Sequence, residues 1–401
     1  MQTSPRPSPT EPAPSRPATR RPRVLHGVSH LALGGAERIA ATVATSLAGE
    51  IDFTVCAVRG VADGSVGESL RRELLAHGVK LHCGPRVPMR FGGMITGAVT
   101  LARAIRATRP DLVHLHTEIP ESSYATLLAV GPGLRRLPLI RTIHNSIFWR
   151  FWRPLGCWCD RQLAHGAVVG VSPAAVDAFV ELRRDSGAPP SPVPPEVIYN
   201  GLRPRCEWRP LDRPENEPLR IVFGGRLENE KGADLLPEIL KRTPLPPGRR
   251  ALLDIFGSGA HAGMLRAFAR TPPPGWNVNL HAPVPDFAAR LHRYDLILVP
   301  SRHEGLGLVA IEAALAGMPI VATDAPGLRD VFPPNYPLLA RIGDAASIAT
   351  TLGRALAEKD QGSSIGRTAQ AFASQHFDAD TMVRRYRALY ARLLPPHLYF
   401  A

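Results

Sequence analysis

Residues 295–324 read DLILVPSRHEGLGLVAIEAALAGMPIVATD, and they decide the fold. Asp295 to Val299 is the kind of apolar run that a parallel strand buried on both faces requires. Gly305 and Gly307 permit a sharp turn, after which Leu308, Ile311 and Leu315 recur at helical spacing. Gly317 closes that helix and Pro319 opens a second apolar strand. In such a strand-loop-helix-strand unit the ligand-facing edge is the carboxyl end of the first strand. Two carboxylates punctuate the unit: Glu304 on the loop, and Glu312 about one and a half turns inside the helix. Beside the helix's positive end they aim acceptors at one pocket, which suits a polyhydroxylated ligand carrying a diphosphate. The competing reading leaves both as solvated surface glutamates.

Outward from this unit, short apolar strands alternate with helices along the whole chain. RVLHGVS, FTVCAV, VKLHC, DLVHLHT, LIRTIH, GAVVGVS and EVIYN make one series, with helices near 35–48, 65–77 and 92–108. LRIVFGG, ALLDIFG, VNLHAP, DLILVPS and PIVATD make another, with helices over 232–242, near 261–270 and near 345–358. This rhythm predicts an α/β protein of two Rossmann-like, doubly wound parallel-sheet domains facing a central cleft. The boundaries are a disordered Pro/Arg-rich tail at 1–22, a first domain at 23–203, a linker at 204–218 and a second domain at 219–376. A last helix within 377–401 carries Met382, Val383, Tyr386, Leu389, Tyr390 and Leu393 at helical spacing, and is expected to return to the first domain.

Composition narrows the function. The formal net charge is +13, but only four of the 48 Lys and Arg residues are lysine, and the excess is spread over both halves. No nucleic-acid partner is expected, because interleaved aromatics over a basic sheet are missing. Mild attraction to an anionic membrane is compatible with the charge. No run of 18 apolar residues spans a bilayer and the N-terminus lacks an apolar signal core, so the expected location is the cytoplasm. Five cysteines without a CxxC pair fit a reducing compartment and structural thiols, and no metal is expected.

Two further loops carry phosphate chemistry. Strand IVF runs into Gly224, Gly225 and Arg226, with Lys231 and Gly232 following; the glycines admit a ligand to the backbone, and the two cations suit a diphosphate. A capped surface loop is the alternative. In the first series, Gly34 and Gly35 precede a helix whose first turn holds Glu37 and Arg38, so its amides can meet the diphosphate from the other side. A plain helix-entry turn competes.

GGAER, GRLENEKG and PSRHEGLGLVAIEAALAGMPIVATD, with VSPAAV and VIYNGL between, resemble the retaining glycosyltransferases of family 4, which have the GT-B fold. The resemblance runs from Val24 to Tyr390. It implies a nucleoside diphosphate sugar donor on the second domain and a glycan, lipid-linked or small-molecule acceptor on the first, in polysaccharide or glycolipid biosynthesis. It also implies retention by a front-face route without metal. Glu304 would hold the sugar hydroxyls and Glu312 the ribose; Arg226 and Lys231 would take the diphosphate, approached by Gly35. Pro283 and Val284 would lie near the base, and His144 near the reacting centre. Gly34, Gly225, Gly305, Leu306, Gly307 and Leu308 complete the donor site. Leu306 stands where that family often has phenylalanine, which leaves the sugar open.

His116, Trp149 and Trp152 are candidate acceptor contacts. The segment SIFWRFWRPLGCWC suits a membrane interface, or else packs its rings inside. Asp378 and Asp380 form a DxD, here read as a helix cap. Two other readings stay open: a nucleotide-sugar epimerase, and a non-catalytic nucleotide-sugar-binding protein.

Overall fold

The computed structural model describes residues 20–395, apart from 33, 63–64, 192, 212–213 and 215, together with Leu398. The tail expected over 1–22 lies almost wholly outside the described residues, as does part of the linker.

The first domain alternates β1 (Arg23–Val28), α1 (Gly35–Ser46), β2 (Asp52–Ala57), α2 (Ser65–Ala76), β3 (Lys80–Cys83) and α3 (Gly93–Thr108). It continues through β4 (Leu112–His116), α4 (Glu118–Val130), β5 (Leu139–Ile143), α5 (Arg153–Gln162), β6 (Ala167–Gly170), α6 (Pro173–Ser186) and β7 (Glu196–Val197). All seven strands pair in parallel, in the order β3-β2-β1-β4-β5-β6-β7. The second domain begins with β8 (Leu219–Gly224), α7 (Leu236–Arg242), β9 (Ala251–Phe256), α8 (Ala262–Phe268) and β10 (Trp276–His281). Then come β11 (Leu296–Val299), α9 (Leu308–Ala316), β12 (Ile320–Thr323), β13 (Leu339–Ala340), α10 (Ala345–Ala357), α11 (Lys359–His376) and α12 (Ala379–Leu393). Its order is β10-β9-β8-β11-β12-β13, again all parallel.

Both sheets reverse direction beside their first strand, between β1 and β4 and between β8 and β11. A reversal of this kind opens a crevice at the carboxyl ends of the strands. The loops after β1, β4, β8 and β11 therefore meet there, and the sequence motifs occupy those after β1, β8 and β11. The central strands are buried along their length; β11 reads accordingly as a continuous apolar run, whereas β4 and β5 also bury His114, His116, Arg141 and Thr142.

The helix expected over 232–242 is shorter. Two single turns of 3₁₀ helix, Asn229–Lys231 and Ala233–Leu235, precede α7, because Gly232 adopts φ +68° and breaks the register. α12 leaves the second domain and packs against α1, burying Tyr386 and Tyr390 in the first. Asp378 caps it, accepting from the amide of Thr381 at 2.8 Å.

A cluster of charged groups sits inside the first domain. Arg141, in the middle of β5, is fully buried with Glu121 and Asp160. Its Nε and Nη2 donate to the two oxygens of Glu121 at 2.9 and 3.0 Å, and Nη1 donates to Asp160 at 2.7 Å. Arg183 and Ser186 complete the shell around Asp160. This network ties β5 to α4, α5 and α6. Removing one partner of a buried ion pair strands the others without water. Arg141→Met is expected to lower stability by ~3–5 kcal/mol in denaturant titrations; a loss below ~1 kcal/mol would show that the network adds only what a surface pair does.

Candidate active site

At the carboxyl end of β8 the chain passes through Gly225 and Arg226 to Lys231, whose Nζ donates to both carboxylate oxygens of Glu304 at 2.7 Å. Ser301 Oγ donates to the same carboxylate at 2.8 Å. Arg302 then binds Asp234 with two parallel hydrogen bonds of 2.7 and 2.8 Å and the carbonyl of Asn229 at 2.6 Å. The amide of Arg302 reaches the carbonyl of Glu230 at 2.8 Å. The loop after β8 and the loop after β11 are thus stitched into one rigid lining, which is what preorganised charge requires. Ser301, Arg302 and Asp234 were not singled out in the sequence; adjacency to Glu304 was the only local signal for the first two.

Among the described residues, the two domains touch across the crevice at residue 305, at Gly35 and at Arg38. Residue 305 lies so close to the carbonyl oxygen of His144 that a Cβ there would collide with it, so only glycine fits. Gly35 faces Leu308, with 3.1 Å between its would-be Cβ and Leu308 Cδ1. Arg38 forms an ion pair with Glu312. In the sequence Arg38 is only a residue of the first turn of α1; its partner lies 274 residues away, where no local pattern reaches.

The structure therefore gathers Lys231, Glu304, Gly305, Leu308, Gly35 and Glu312 at the crevice, together with Gly307 at the start of α9. Arg226 stands apart from the Lys231–Glu304 pair. It pairs with Glu230, its side chain is 67% exposed, and its charge acts on His30 and Glu37 of the first domain. Leu306 is buried. Pro283 and Val284 lie on the turn after β10, the outermost strand of the second sheet.

Two acceptor candidates are corrected. His116 is fully buried and hydrogen-bonded on both ring nitrogens, to His144 and to His26, so no acceptor can reach it. Trp149 is also buried, its ring lying over Gly156, whereas Trp152 is exposed. The residues that separate buried from exposed rings are set by a backbone the sequence does not announce. Trp149 adopts φ +58°, and Thr117, directly after β4, adopts φ +75°. A β-branched residue in that region costs ~1–3 kcal/mol, and such strain concentrates at functional sites. His144, at the end of β5, is half-buried, and loss of hydration lowers its pKa to about 3.

Glu37 occupies the amide end of α1. Its carboxylate folds over Gly34. Burial pushes its pKa up to about 7, against hydrogen bonds from the backbone of Glu37 and His30 and the charge of Arg226. A carboxyl whose folded pKa is raised holds its proton better in the native state, so its contribution is fully present below about pH 4.5 and is lost as pH rises through about 7. Glu37→Gln is expected to be more stable than the parent by ~3 kcal/mol at pH 8 and equal to it near pH 4. Denaturant titrations across that range check this; a gap that does not grow with pH would contradict it.

Two family models match in succession: Glycosyltransferase Family 4 over residues 33–205 and Glycosyl transferases group 1 over residues 206–372. Glycogen synthase of Mycobacterium tuberculosis is 29% identical over 248 residues, 56% of this chain and 55% of its own. Sulfoquinovosyl transferase SQD2 of Arabidopsis thaliana is 24% identical over 288 residues, 70% of this chain and 51% of its own. The chain spans about half the length of the curated relatives it matches. Among solved structures, Anabaena Alr3699/HepE in complex with UDP and glucose superposes with a TM-score of 0.74 at 20% identity, covering 93% of this chain and 100% of that one. Sucrose-phosphate synthase from Thermosynechococcus elongatus superposes with a TM-score of 0.70 at 18% identity, covering 93% and 99%. At such identities these structures speak to the fold. Two all-parallel Rossmann-like sheets with their carboxyl edges opposed, matched in succession by one glycosyltransferase family model over 33–205 and another over 206–372, place this chain among the GT-B glycosyltransferases.

Proposed function

We propose that the protein moves a sugar from a nucleoside diphosphate sugar on its second domain to an acceptor hydroxyl on its first, with retained configuration and without metal. The observation that carries this reading is the lining in which Lys231 and Ser301 both donate to the carboxylate of Glu304, one residue before the glycine that meets the His144 carbonyl. Glu304 suits the hydroxyls of the transferred sugar and Glu312 the ribose. Lys231 and Arg226 suit the diphosphate, and the arrival of that anion would draw Lys231 from Glu304 and free the carboxylate for the sugar. In the front-face route the departing phosphate oxygen takes the acceptor's proton as the new glycosidic bond forms, so the cations stabilise charge that grows in the transition state. The solved complexes of Alr3699/HepE with UDP and with UDP-glucose support a uridine donor as the first to try.

A screen of nucleotide sugars for thermal stabilisation, followed by product analysis with candidate acceptors, tests the reading. Release of nucleoside diphosphate that depends on an added acceptor separates a transferase from an epimerase or a binding protein. With the active pair in hand, the Arg226→Ala/Lys231→Ala double variant is expected to lose roughly 10²-fold or more in turnover. Near-normal turnover would refute the role.

A lipid-linked acceptor, with contact to an anionic membrane, is the acceptor class the surface favours. Phe91, just before α3, is 67% exposed, Ile95 61%, and Phe151, before α5, 88%, with Val99 and Trp152 also exposed. α3 and α5 both start at the carboxyl edge of the first sheet, with α4 packed between them. Between Glu73 and Asp111, and again between Glu121 and Asp160, the chain has no carboxylate side chain, while Arg90, Arg103, Arg106 and Arg150 are exposed. Apolar rings flanked by uncompensated cations match an anionic headgroup layer. Among the described residues no helix is long and apolar enough to cross a membrane. Co-sedimentation is expected with vesicles containing phosphatidylglycerol and not with pure phosphatidylcholine. The Phe91→Ser/Ile95→Ser/Trp152→Ser variant should bind about tenfold more weakly, on the scale of the apolar area removed; unchanged binding would remove this surface from the account.

A further inference from the structure

Beneath the cleft, four histidines, two tyrosines and a threonine form one hydrogen-bonded file. His144 Nε2 meets His116 Nδ1 at 3.0 Å, and His116 Nε2 meets His26 Nδ1 at 3.2 Å. His26 Nε2 and His114 Nδ1 each lie 2.9 Å from the hydroxyl of Tyr390. His114 Nε2 is 2.7 Å from Thr142 Oγ1, which is 3.3 Å from the hydroxyl of Tyr386. All members except His144 are fully buried. Burial lowers the pKa of all four histidines, so each is a neutral ring with one N–H and one lone pair.

With neutral rings the polarity follows by counting protons from the closed end. Thr142 is the one partner of the Tyr386 hydroxyl among the described residues, so Tyr386 donates; otherwise a buried phenolic proton stays unpaired. Thr142 then donates to His114 Nε2. His114, accepting there, carries its proton on Nδ1 and donates to Tyr390. Tyr390 donates to His26 Nε2, His26 Nδ1–H donates to His116 Nε2, and His116 Nδ1–H donates to His144 Nε2. The last ring in the file must keep its proton on Nδ1, which has no partner among the described residues. The reverse polarity would leave the Tyr386 proton unpaired inside the core.

We infer that this file fixes His144 as the Nδ1–H tautomer, so that the cleft is met by a hydrogen-bond donor and not by a base. His116, His26 and Tyr390 act through His144 and are positioning residues. The spacing of His26, His114 and His116 would also gather a metal ion, but every ring nitrogen of the three is engaged in the file. On the glycosyl-transfer reading, the His144 N–H would address an oxygen of the bound ligand, and that consequence rests on the reading. The tautomer itself does not depend on turnover.

Long-range ¹H–¹⁵N correlation spectra of the unliganded full chain, labelled with ¹⁵N-histidine, test the inference. His144→Gln assigns the terminal ring by loss of its signals. The expected result is a protonated Nδ1 and a bare Nε2 at His26, His114, His116 and His144, the minor tautomer in water. A protonated Nε2 at His144, or an imidazolium, would overturn it. Tyr390→Phe cuts the file and leaves one atom of His26 unpaired in either polarity, so His144 should then populate both tautomers. An unchanged His144 pattern in folded Tyr390→Phe would remove Tyr390 from the control. Should that variant not fold, the parent spectrum alone decides. Absence of transferase activity would leave these spectra untouched.

Discussion

The carbonyl oxygen of His144 fills the space any side chain at position 305 would need, and this contact sets how closely the two domains approach at their shared chemistry. It joins the end of β5 to the loop that carries Glu304. Because that loop is bound through Arg302 to the loop carrying Lys231, the placement of one backbone atom positions both charges. The Arg38–Glu312 pair and the Gly35–Leu308 contact form a second seam along α1 and α9. Closing at two seams holds α9 against the first domain as well as within its own.

The charged groups of the crevice are paired among themselves: Lys231 with Glu304, Arg226 with Glu230, Arg38 with Glu312, Arg302 with Asp234. Four cations this close would repel if left alone in a partly desolvated site. Pairing each with a carboxylate keeps the crevice assembled while leaving donors already in place for a multiply charged ligand. The same logic operates in the core, where Arg141 is held between Glu121 and Asp160, but there no ligand can exchange for a partner because every group is sealed from water.

Much of the architecture was legible from residues. Strands such as β8 and β11 read as apolar runs because both of their faces are covered, and α3 and α10 kept apolar stripes at helical spacing. α11 was not, and the reason is physical. Its Gly362 and Gly366 argue against a helix by propensity, yet Gly366 is required where the helix crosses the carbonyl of Gly317, and Gly362 lies on Pro319. α4 was missed because its buried residues are spread around the helix, including Glu121, whose partner Arg141 lies on a strand. Within the site, Glu304 and Lys231 were legible from motif spacing. The fates of His116 and Trp149 were not, since burial of a strand-end histidine or an aromatic in a loop depends on which helix covers it.

By itself the sequence determined the two parallel sheets, the loops that bear the ligand chemistry, and the family, because periodicity, glycine turns and motif spacing are local properties of a chain. Only the tertiary structure decided which charges meet, that Arg38 answers Glu312, and that Tyr390 from the last helix completes a file of histidines begun at β1. These are contacts between residues hundreds of positions apart. Their partners are chosen by how two sheets and a returning helix pack, and no short-range pattern records that choice.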